Sequence, residues 1–426
     1  MNYKKYNMGS YNFHIIKCDK FKTINIKINF KRKINKNEIT IRNLLKDVLL
    51  DSSFKYKTTR KLDIEMEELY NINFSATNYI SGNYLVSSFN TVFLNEIYTE
   101  PKMIEKSIKF FLELLLNPNV KDGKFDSNSF DVCKRYMADK ITSIKDRTGE
   151  YSFIRMLENM DKSSIISYNP NGYLDDLEKI TPESLYEYYK KMIRSDIIDI
   201  FVIGDIDSLQ VKKIFSETFK INTLKKPSES HYLSHKKIRS RVKTVKEQID
   251  TTQSKLVIGY KLSDIKEYQK QYVMPIFTYI FGGGPDSKLF KTVREKNSLC
   301  YSISASYNAV MNIMTIRAGI NSKDFKKTIS LIKKEFKNMQ KGIYSDQDIE
   351  AAKTTYINAL KEINDSQKAI INSYTSKEYL NYDLPNERIK KIKKVKRTEI
   401  QEIIGKIHLD TIYLLEGTDV EEDVSE

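Results

Sequence analysis

Hydrophobic and polar residues alternate along two short segments near the start of the chain. NFHIIK (12–17) and KTINIKINF (22–30) have the period of two that predicts β-strands, and the second leaves one face apolar for burial. Helical patterns follow at about residues 40–50 and 60–70. The next segment, FSATNYISGNYLVSSFNTVF, predicts a β-hairpin whose turn is the Ser-Gly-Asn at residues 81–83.

Long helical patterns then run from about residue 101 to 191, with breaks near Asn117 and Asn169, each of which precedes a proline. The apolar run IIDIFVIGDID predicts a buried strand that ends at Gly204. Residues 221–240 contain proline, serine, histidine and many lysines without an apolar period, which is typical of a linker.

The same plan starts again after this segment. The pattern predicts a strand at KLVIGYKL, helices at 266–281 and 287–297, strands at 301–306 and 311–319, and mostly helix over 322–380. Residues 180–207 and 395–420 also resemble each other: each has a helix, a short connection, an apolar strand, a glycine and an aspartate. An internal duplication of about 200 residues accounts for this similarity.

The predicted fold is therefore α+β, with two homologous halves that each resemble an α/β sandwich, a mixed sheet covered by helices. The predicted boundaries are 1–220 for the first half, 221–240 for the linker and 241–426 for the second half.

Composition adds limits to this prediction. The 426 residues are 40% hydrophobic and 11% aromatic, which is enough for buried cores and excludes a disordered chain. A net charge of +15 would suit a nucleic-acid or membrane-surface partner, but the lysines are scattered. In the basic run 387–397, Ile389, Ile392 and Val395 recur every three residues, which predicts an amphipathic helix with a solvated lysine face. We therefore expect no specific binding of nucleic acid.

Cys18, Cys133 and Cys300 show no paired spacing, which argues against a disulfide framework and for a reducing compartment. The N-terminal segment lacks the apolar core of a signal peptide, and no apolar run is long enough to span a membrane. These features predict a cytoplasmic protein.

The stretch FGGGPDSKLFKTVREKNSLCYSISASYN, residues 281–308, contains the candidate chemistry. It lacks the second glycine and the hydroxyl of a phosphate-binding Walker loop, and a helix rather than a strand precedes its glycines, unlike a dinucleotide fingerprint. Gly282, Gly283 and Gly284 are better explained as a structural turn, in backbone conformations that a Cβ would disfavour. Asp286 and Ser287 then cap the following helix.

Arg294 and Tyr301 allow two interpretations. Arg294 lies in the last turn of that helix and Tyr301 at the start of the next strand, so both side chains could enter one cleft and donate to a peptide carbonyl or a developing oxyanion. Alternatively, Arg294 is a surface residue paired with Glu295 or Asp286, and Tyr301 is half-buried.

The whole stretch resembles the second-domain signature of the pitrilysin/insulinase zinc peptidases, and most closely that of short two-domain members such as mitochondrial processing peptidase. In these proteins a glycine-rich turn leads to a helix that ends in Arg-Glu-Lys, followed by Leu-x-Tyr. The corresponding residues here are 282–284, 294–296 and 299–301. The resemblance implies that Arg294 and Tyr301 contact the substrate carbonyl, and that the two halves form one side of a clamshell.

The same family carries a zinc motif, His-x-x-Glu-His, on the first helix of the first half. Leu44, Asp47 and Val48 occupy the corresponding positions here, so the two imidazoles are missing. The downstream carboxylate ligand would correspond to Asp139, which is followed by a lysine. The resemblance therefore implies that this chain has no metal site of its own and no cofactor.

The chain has four histidines, and none replaces the motif. His14 lies in a strand and His408 close to the last strand, where structural roles are expected. His231 and His235 have the spacing of a helical pair, but Ser234 stands where the catalytic glutamate would be, and both lie in the linker.

These features predict a non-catalytic subunit, an inactive relative that pairs with a zinc-bearing paralogue. Together they would form a peptidase for peptides or unfolded proteins, with Arg294 and Tyr301 supplying contacts to the substrate carbonyl. The alternative is a scaffold or peptide-binding protein of the same fold with no part in hydrolysis.

Overall fold

The computed structural model describes residues 1–221, 229–235 and 237–418. Within the predicted linker, residues 222–228 and Lys236 lie outside the described residues.

Among the described residues, the first half of the chain contains more strands than the second half. These strands are β1 (Asn2–Asn7), β2 (Asn12–Lys17), β3 (Thr23–Lys33), β4 (Asn73–Ser81), β5 (Tyr84–Leu94), the short pair β6 (Val120–Lys121) and β7 (Lys124–Phe125), and β8 (Ile197–Gly204). Its helices are α1 (Lys36–Asp51), α2 (Thr59–Glu68), α3 (Met103–Leu116), α4 (Ser127–Thr142), α5 (Thr148–Met160), α6 (Leu174–Glu178), α7 (Pro182–Ser195) and α8 (Ser208–Thr218).

The second half repeats this pattern with fewer strands. They are β9 (Lys243–Gln248), β10 (Ser254–Leu262), β11 (Cys300–Asn308), β12 (Ile313–Ile320) and β13 (Ile407–Glu416). The helices are α9 (Met274–Gly282), preceded by the π-helical turn Gln269–Val273, the π-helical segment Phe290–Glu295, α10 (Phe325–Gln340), α11 (Asp346–Glu362), α12 (Gln367–Leu380), α13 (Pro385–Ile392) and α14 (Arg397–Ile404).

The strand order is the same in the two sheets. In the first sheet it is β1-β2-β8-β3-β5-β4, and in the second it is β11-β12-β10-β13-β9. Read from the opposite end, the second order matches the first from β2 to β4 strand for strand. The directions match as well, since β2 and β8 are parallel, as are β9 and β13, and the other pairs in this common order are antiparallel. The shared topology confirms the two α+β halves predicted from the sequence.

Each sheet packs its apolar face against helices. In the first, Ile24, Ile26, Ile28 and Phe30 of β3 point to a core shared with α1, α3, α4 and α7. In the second, β10, β11 and β12 pack against α9, α10 and α14 in a separate core. The apolar runs of both halves therefore form independent cores, as the periodicity predicted.

The opposite face of β3 is buried as well. Alternation predicted one buried face, but Asn25, Asn29 and Lys31 on the polar face are 3%, 0% and 2% exposed. The start of α12 covers part of this face: the amide of Gln367 donates to the Thr23 carbonyl oxygen at 2.6 Å, and the Lys27 ammonium donates to Asn372 at 2.9 Å.

Two compact units make up the chain, and each contains a helix from the other half of the sequence. Unit 1 consists of Met1–Ser143, Asn169–His231 and Asp365–Thr375; unit 2 consists of Ile144–Tyr168, Tyr232–Asn364 and Ser376–Glu426. These units differ from the contiguous halves 1–220 and 241–426 of the sequence prediction. The physical reason is that one face of each sheet is covered by a helix from the other half of the sequence. Met156, Leu157 and Met160 of α5 pack against β10 and β13, and α12 lies on the first sheet.

One further prediction changes in detail. The basic run 387–397 does not form one helix, because α13 ends at Ile392 and α14 begins at Arg397, although Ile392 and Val395 are buried as expected.

Cys18, Cys133 and Cys300 are free thiols. Among the residues described, no helix combines the length and apolar character needed to cross a bilayer.

Candidate functional site

The glycine turn is required by close packing, not by an unusual backbone. Gly282, Gly283 and Gly284 have no positive φ, contrary to the prediction. Instead, a Cβ at Gly282 would lie 2.7 Å from the Ala305 Cβ and 2.9 Å from its backbone nitrogen, and a Cβ at Gly283 would lie 2.6 Å from the Tyr279 Cα. The missing side chain at Gly282 therefore lets the end of α9 rest directly on β11.

Ser287 starts the next helical segment. It is buried, and its hydroxyl accepts a hydrogen bond from the Phe290 N–H at 3.4 Å, which satisfies one of the free donors at the helix start. The Asp286 carboxylate instead pairs with Lys291 at 3.5 Å. From Phe290 to Glu295 the backbone is π-helical, a distortion often found at functional sites.

Arg294 lies in the last turn of this π-helical segment and contacts Tyr301. Its guanidinium carbon lies 4.5 Å from the centroid of the Phe290 ring and 5.6 Å from that of Tyr301, within the range of cation–π attraction. Among the residues that the structure describes, Arg294 forms no ion pair, so the proposed surface pair with Glu295 or Asp286 is not present. The guanidinium donors are therefore not occupied by a carboxylate.

Tyr301 lies at a β-bulge on an edge strand. Cys300 pairs with Ile320 and Ser302 with Gly319, so Tyr301 is the extra residue between them, and β11 is the last strand of its sheet. Bulges of this kind redirect a side chain, and the Tyr301 side chain is 79% exposed rather than half-buried. An aromatic phenol that is held in water beside a guanidinium is available to a ligand.

Cys300 lies directly behind this pair. Burial raises the pKa of its thiol, and the positive charge of Arg294 opposes that increase. The thiol is thus expected to stay protonated near neutral pH. A neutral thiol does not form an ion pair with the Arg294 guanidinium.

The positions of the lost metal motif lie on α1, in unit 1. Leu44 and Val48 are 0% and 2% exposed and belong to the first core, while Asp47 is partly exposed and pairs with Lys46. Two of the three motif positions are thus used for packing. They present no nitrogen or oxygen to a cation.

Asp139 does not complete a site with α1. It lies on the exposed side of α4, whereas Cys133 lies on the buried side of the same helix. Burial, together with the negative charges of Asp51 and Asp47, raises the pKa of the Cys133 thiol to about 12. In the parts of the chain that are described, no group of three His, Cys, Asp or Glu side chains is arranged to bind a metal ion.

The four histidines have separate structural partners. His14 is fully buried in β2, where Tyr3 and Asp199 bond its ring nitrogens at 2.8 and 3.4 Å. His408 bonds the Ser263 hydroxyl at 2.9 Å.

The histidines of the predicted linker are not a helical pair. His231 bonds the Ser81 hydroxyl at 2.9 Å, and His235 bonds the carbonyl oxygens of Met311 and Asn312 at 3.0 and 3.1 Å. Neither lies in a helix, so the spacing has no structural meaning.

One cavity in unit 2 has no counterpart in the sequence predictions. It has a volume of about 510 Å3, and Tyr307, Tyr356, Tyr382, Lys270 and Arg388 contribute to its walls. These residues come from separate elements, so no spacing along the chain could have grouped them. The only signal was a composition with 28 tyrosines.

Comparisons with known proteins agree with this description. The peptidase M16 inactive domain matches residues 179–356. A Bacillus subtilis protein named probable inactive metalloprotease YmfF is 31% identical over 424 residues, which cover 98% of this chain and 99% of that protein.

Solved structures match over nearly the full length. A conserved protein from Enterococcus faecalis is 27% identical with a TM-score of 0.92, covering 99% of this chain and 100% of that one. A peptidase M16 inactive domain from Pseudomonas fluorescens has a TM-score of 0.79 at 14% identity, over 99% of this chain and 100% of that one, and so shares the fold. This chain therefore belongs to the pitrilysin, or M16, peptidase family, as a non-catalytic member.

Proposed function

We propose that this chain is the non-catalytic subunit of a heterodimeric zinc peptidase. It would pair with a paralogue that carries the complete His-x-x-Glu-His motif, and would contact the peptide substrate through Arg294 and Tyr301. The observation that supports this proposal most is the Arg294–Tyr301 pair at the β11 bulge, retained in a chain whose α1 has buried Leu44 and Val48 where the family has its zinc-binding histidines.

The chemistry of the pair suits a peptide carbonyl. The guanidinium offers several fixed N–H donors and the phenol of Tyr301 offers one O–H donor, and donors of this kind stabilise the negative charge that develops on the oxygen during hydrolysis. The zinc that activates water would belong to the partner. The contribution of this chain would be to orient the carbonyl and to stabilise that charge.

A mutational experiment tests this role. The chain is co-purified with a metal-motif paralogue, and peptide cleavage is compared between wild type and the double variant Arg294→Ala plus Tyr301→Phe. Loss of oxyanion donors lowers turnover by about 100-fold to 1,000-fold in other peptidases, and we expect a decrease of that order with assembly unchanged. Lys333→Gln, an exposed change on α10 outside the family signature, serves as the control and should leave turnover near the wild-type rate.

A scaffold without a role in hydrolysis is the second candidate. This candidate is favoured by the role of α1 in packing. Leu44 and Val48 stabilise the core at positions where a catalytic helix would expose zinc ligands. In that case the double variant would leave cleavage undiminished, while omission of the chain would prevent assembly of the complex.

A further inference from the structure

The tyrosine-lined cavity in unit 2 is formed by side chains from several elements, and two of these side chains are cationic. Its walls come from the π-helical turn before α9, α9, the end of β11 with the turn after it, α11, the connection between α12 and α13, and α13. Its volume of about 510 Å3 is within the range of small-molecule sites, which are typically about 300–1,000 Å3. It is open to a ligand of the size of a dipeptide or an aromatic acid.

Two cationic side chains line the cavity. The Arg388 guanidinium lies between the rings of Tyr356 and Tyr382, at 5.4 and 5.3 Å from their centroids, and donates to the Tyr356 hydroxyl. The Lys270 ammonium lies 3.8 Å from the centroid of the Tyr232 ring. Neither cation forms an ion pair among the described residues.

No acidic side chain lines the cavity in the described part of the chain. Glu267 lies outside the wall, and its charge only partly opposes the burial that lowers the pKa of Lys270. Asp383, which is also outside, accepts hydrogen bonds from Tyr272 and Lys391, and its charge also attracts the Arg388 guanidinium. The charge on the wall is therefore positive.

Three donors of the lining residues have no acceptor. The Thr278 hydroxyl, the Tyr307 hydroxyl and the Arg388 Nε are buried without a hydrogen-bond partner within the described residues. Unpaired buried donors each cost about 1–3 kcal/mol, so native proteins seldom keep several together. All three atoms are fully buried, so a ligand in the cavity would reach them only after neighbouring side chains move.

The rest of the wall is apolar. Pro275, Ala309, Val310 and Ala359 lie alongside the tyrosine rings. Such a surface binds hydrocarbon or an aromatic ring, and it disfavours a small hydrated anion such as free phosphate. The ligand must therefore carry both an apolar group and a negatively charged acceptor.

We propose that this cavity binds a carboxylate attached to an apolar or aromatic group, with Arg388 and Lys270 as its cationic contacts. Two sources share this chemistry: the C-terminus of a peptide that ends in an apolar residue, and a small free acid. The proposal does not depend on a partner subunit, because all of the lining residues belong to unit 2.

Calorimetric titration of the full chain alone tests the proposal. The probes are N-acetyl-Ala-Ala-Phe with a free carboxylate, the same peptide with a C-terminal amide, and 3-phenylpropionate. We expect a carboxylate probe to bind and the amide to bind at least about tenfold more weakly, since charge-assisted hydrogen bonds are lost. Binding of the peptide acid identifies a peptide terminus, and binding of phenylpropionate alone identifies a small acid.

Variants on and beside the wall complete the experiment. Arg388→Gln should weaken the carboxylate probe at least about tenfold, whereas Lys390→Gln, an exposed change on the same helix, should not alter it. Lys270→Gln provides a second test if Arg388→Gln fails to fold by circular dichroism. The proposal is overturned if neither carboxylate binds, if the amide binds equally well, or if the folded wall variants bind like wild type.

Discussion

At the scale of single residues, buried charge distinguishes the two sheets from simple apolar sandwiches. Lys31 on β3 lies 3.7 Å from Asp199 on β8, and Lys261 on β10 lies 3.7 Å from Asp410 on β13, with all four side chains almost fully buried. The strands correspond in the two halves, so the duplication has kept a lysine–aspartate pair at the same place. These pairs stabilise the fold only while both partners are present.

Asp199→Asn tests the first pair. Burial would raise the pKa of Asp199, but the hydrogen bond from His14 and the charge of Lys31 outweigh it and hold that pKa well below its usual range. Removing the negative charge takes the buried carboxylate away from the Lys31 ammonium, and we expect a loss of about 3–5 kcal/mol in the free energy of unfolding. Urea denaturation measures this loss. Asp139→Asn, on the exposed side of α4, should change the free energy by less than about 0.5 kcal/mol.

His231 gives the fold a dependence on pH. Burial, with help from the charge of Lys31, lowers the pKa of His231 to about 4, while Asp199 and the Ser81 hydrogen bond oppose that decrease. The pKa of a histidine in an unfolded chain is about 6.5, so the unfolded state binds the proton first as the pH falls. The free energy of unfolding should therefore decrease from about pH 6.5 to about pH 4.

Urea denaturation at about pH 7 and about pH 5 measures this decrease. His231→Gln should lose less stability between the two conditions than wild type does. His235, whose pKa is also lowered by burial, is present in both proteins and contributes equally. An identical loss in the variant and the wild type would contradict the assignment to His231.

At the scale of elements, the turn between α9 and the π-helical segment determines where Arg294 lies. Gly282 permits α9 to approach β11, and the bulge at Tyr301 turns the phenol outward beside Arg294. The site thus depends on one close contact between a helix and an edge strand.

Gly282→Ala tests that contact. The new methyl group would meet both the Cβ and the backbone nitrogen of Ala305, which cannot yield easily, and we expect a loss of about 1–3 kcal/mol in the free energy of unfolding. Gly405→Ala is the matched control, because its φ is −63° and its nearest neighbour would be 3.7 Å away. Thermal denaturation should show this control to be neutral or slightly more stable.

The periodicity of the sequence predicted the main strands and helices, including β2, β3, β8 and the β4–β5 hairpin. It also located the glycine turn, but it attributed the glycines to backbone conformation when the cause is close packing against Ala305. Long-range contacts of this type have no local signature. For the same reason, alternation in β3 suggested a solvated face, although hydrogen bonds and ion pairs allow Asn29 and Lys31 to be buried there.

At the scale of the whole molecule, the exchange of helices decides which parts can fold alone. The apolar residues of α5 complete a small cluster with Val257, Tyr413 and Leu415 of unit 2. In the sequence, however, α5 belongs to the first half of the chain, far before these residues. Amphipathic periodicity shows that a helix has an apolar face. It does not show which sheet that face will cover, so the sequence could predict the two halves but not the exchange.

Expression of residues 1–220 alone tests the consequence. This fragment contains α5 without β10 and β13, and it lacks α12, so Met156, Leu157 and Met160 would be exposed. We expect a fragment that aggregates or lacks a cooperative thermal transition. Co-expression with residues 221–426 should restore a soluble complex. A soluble fragment 1–220 that unfolds cooperatively on its own would contradict the importance of the exchange.

We propose that this chain acts only together with a zinc-bearing partner. Zinc content and peptide cleavage should be measured on the purified chain alone and during titration with the metal-motif paralogue. We expect no stoichiometric zinc and no cleavage with the chain alone, and activity that saturates at about one equivalent of partner. Stoichiometric zinc in the isolated chain, with cleavage that a chelator abolishes, would contradict it.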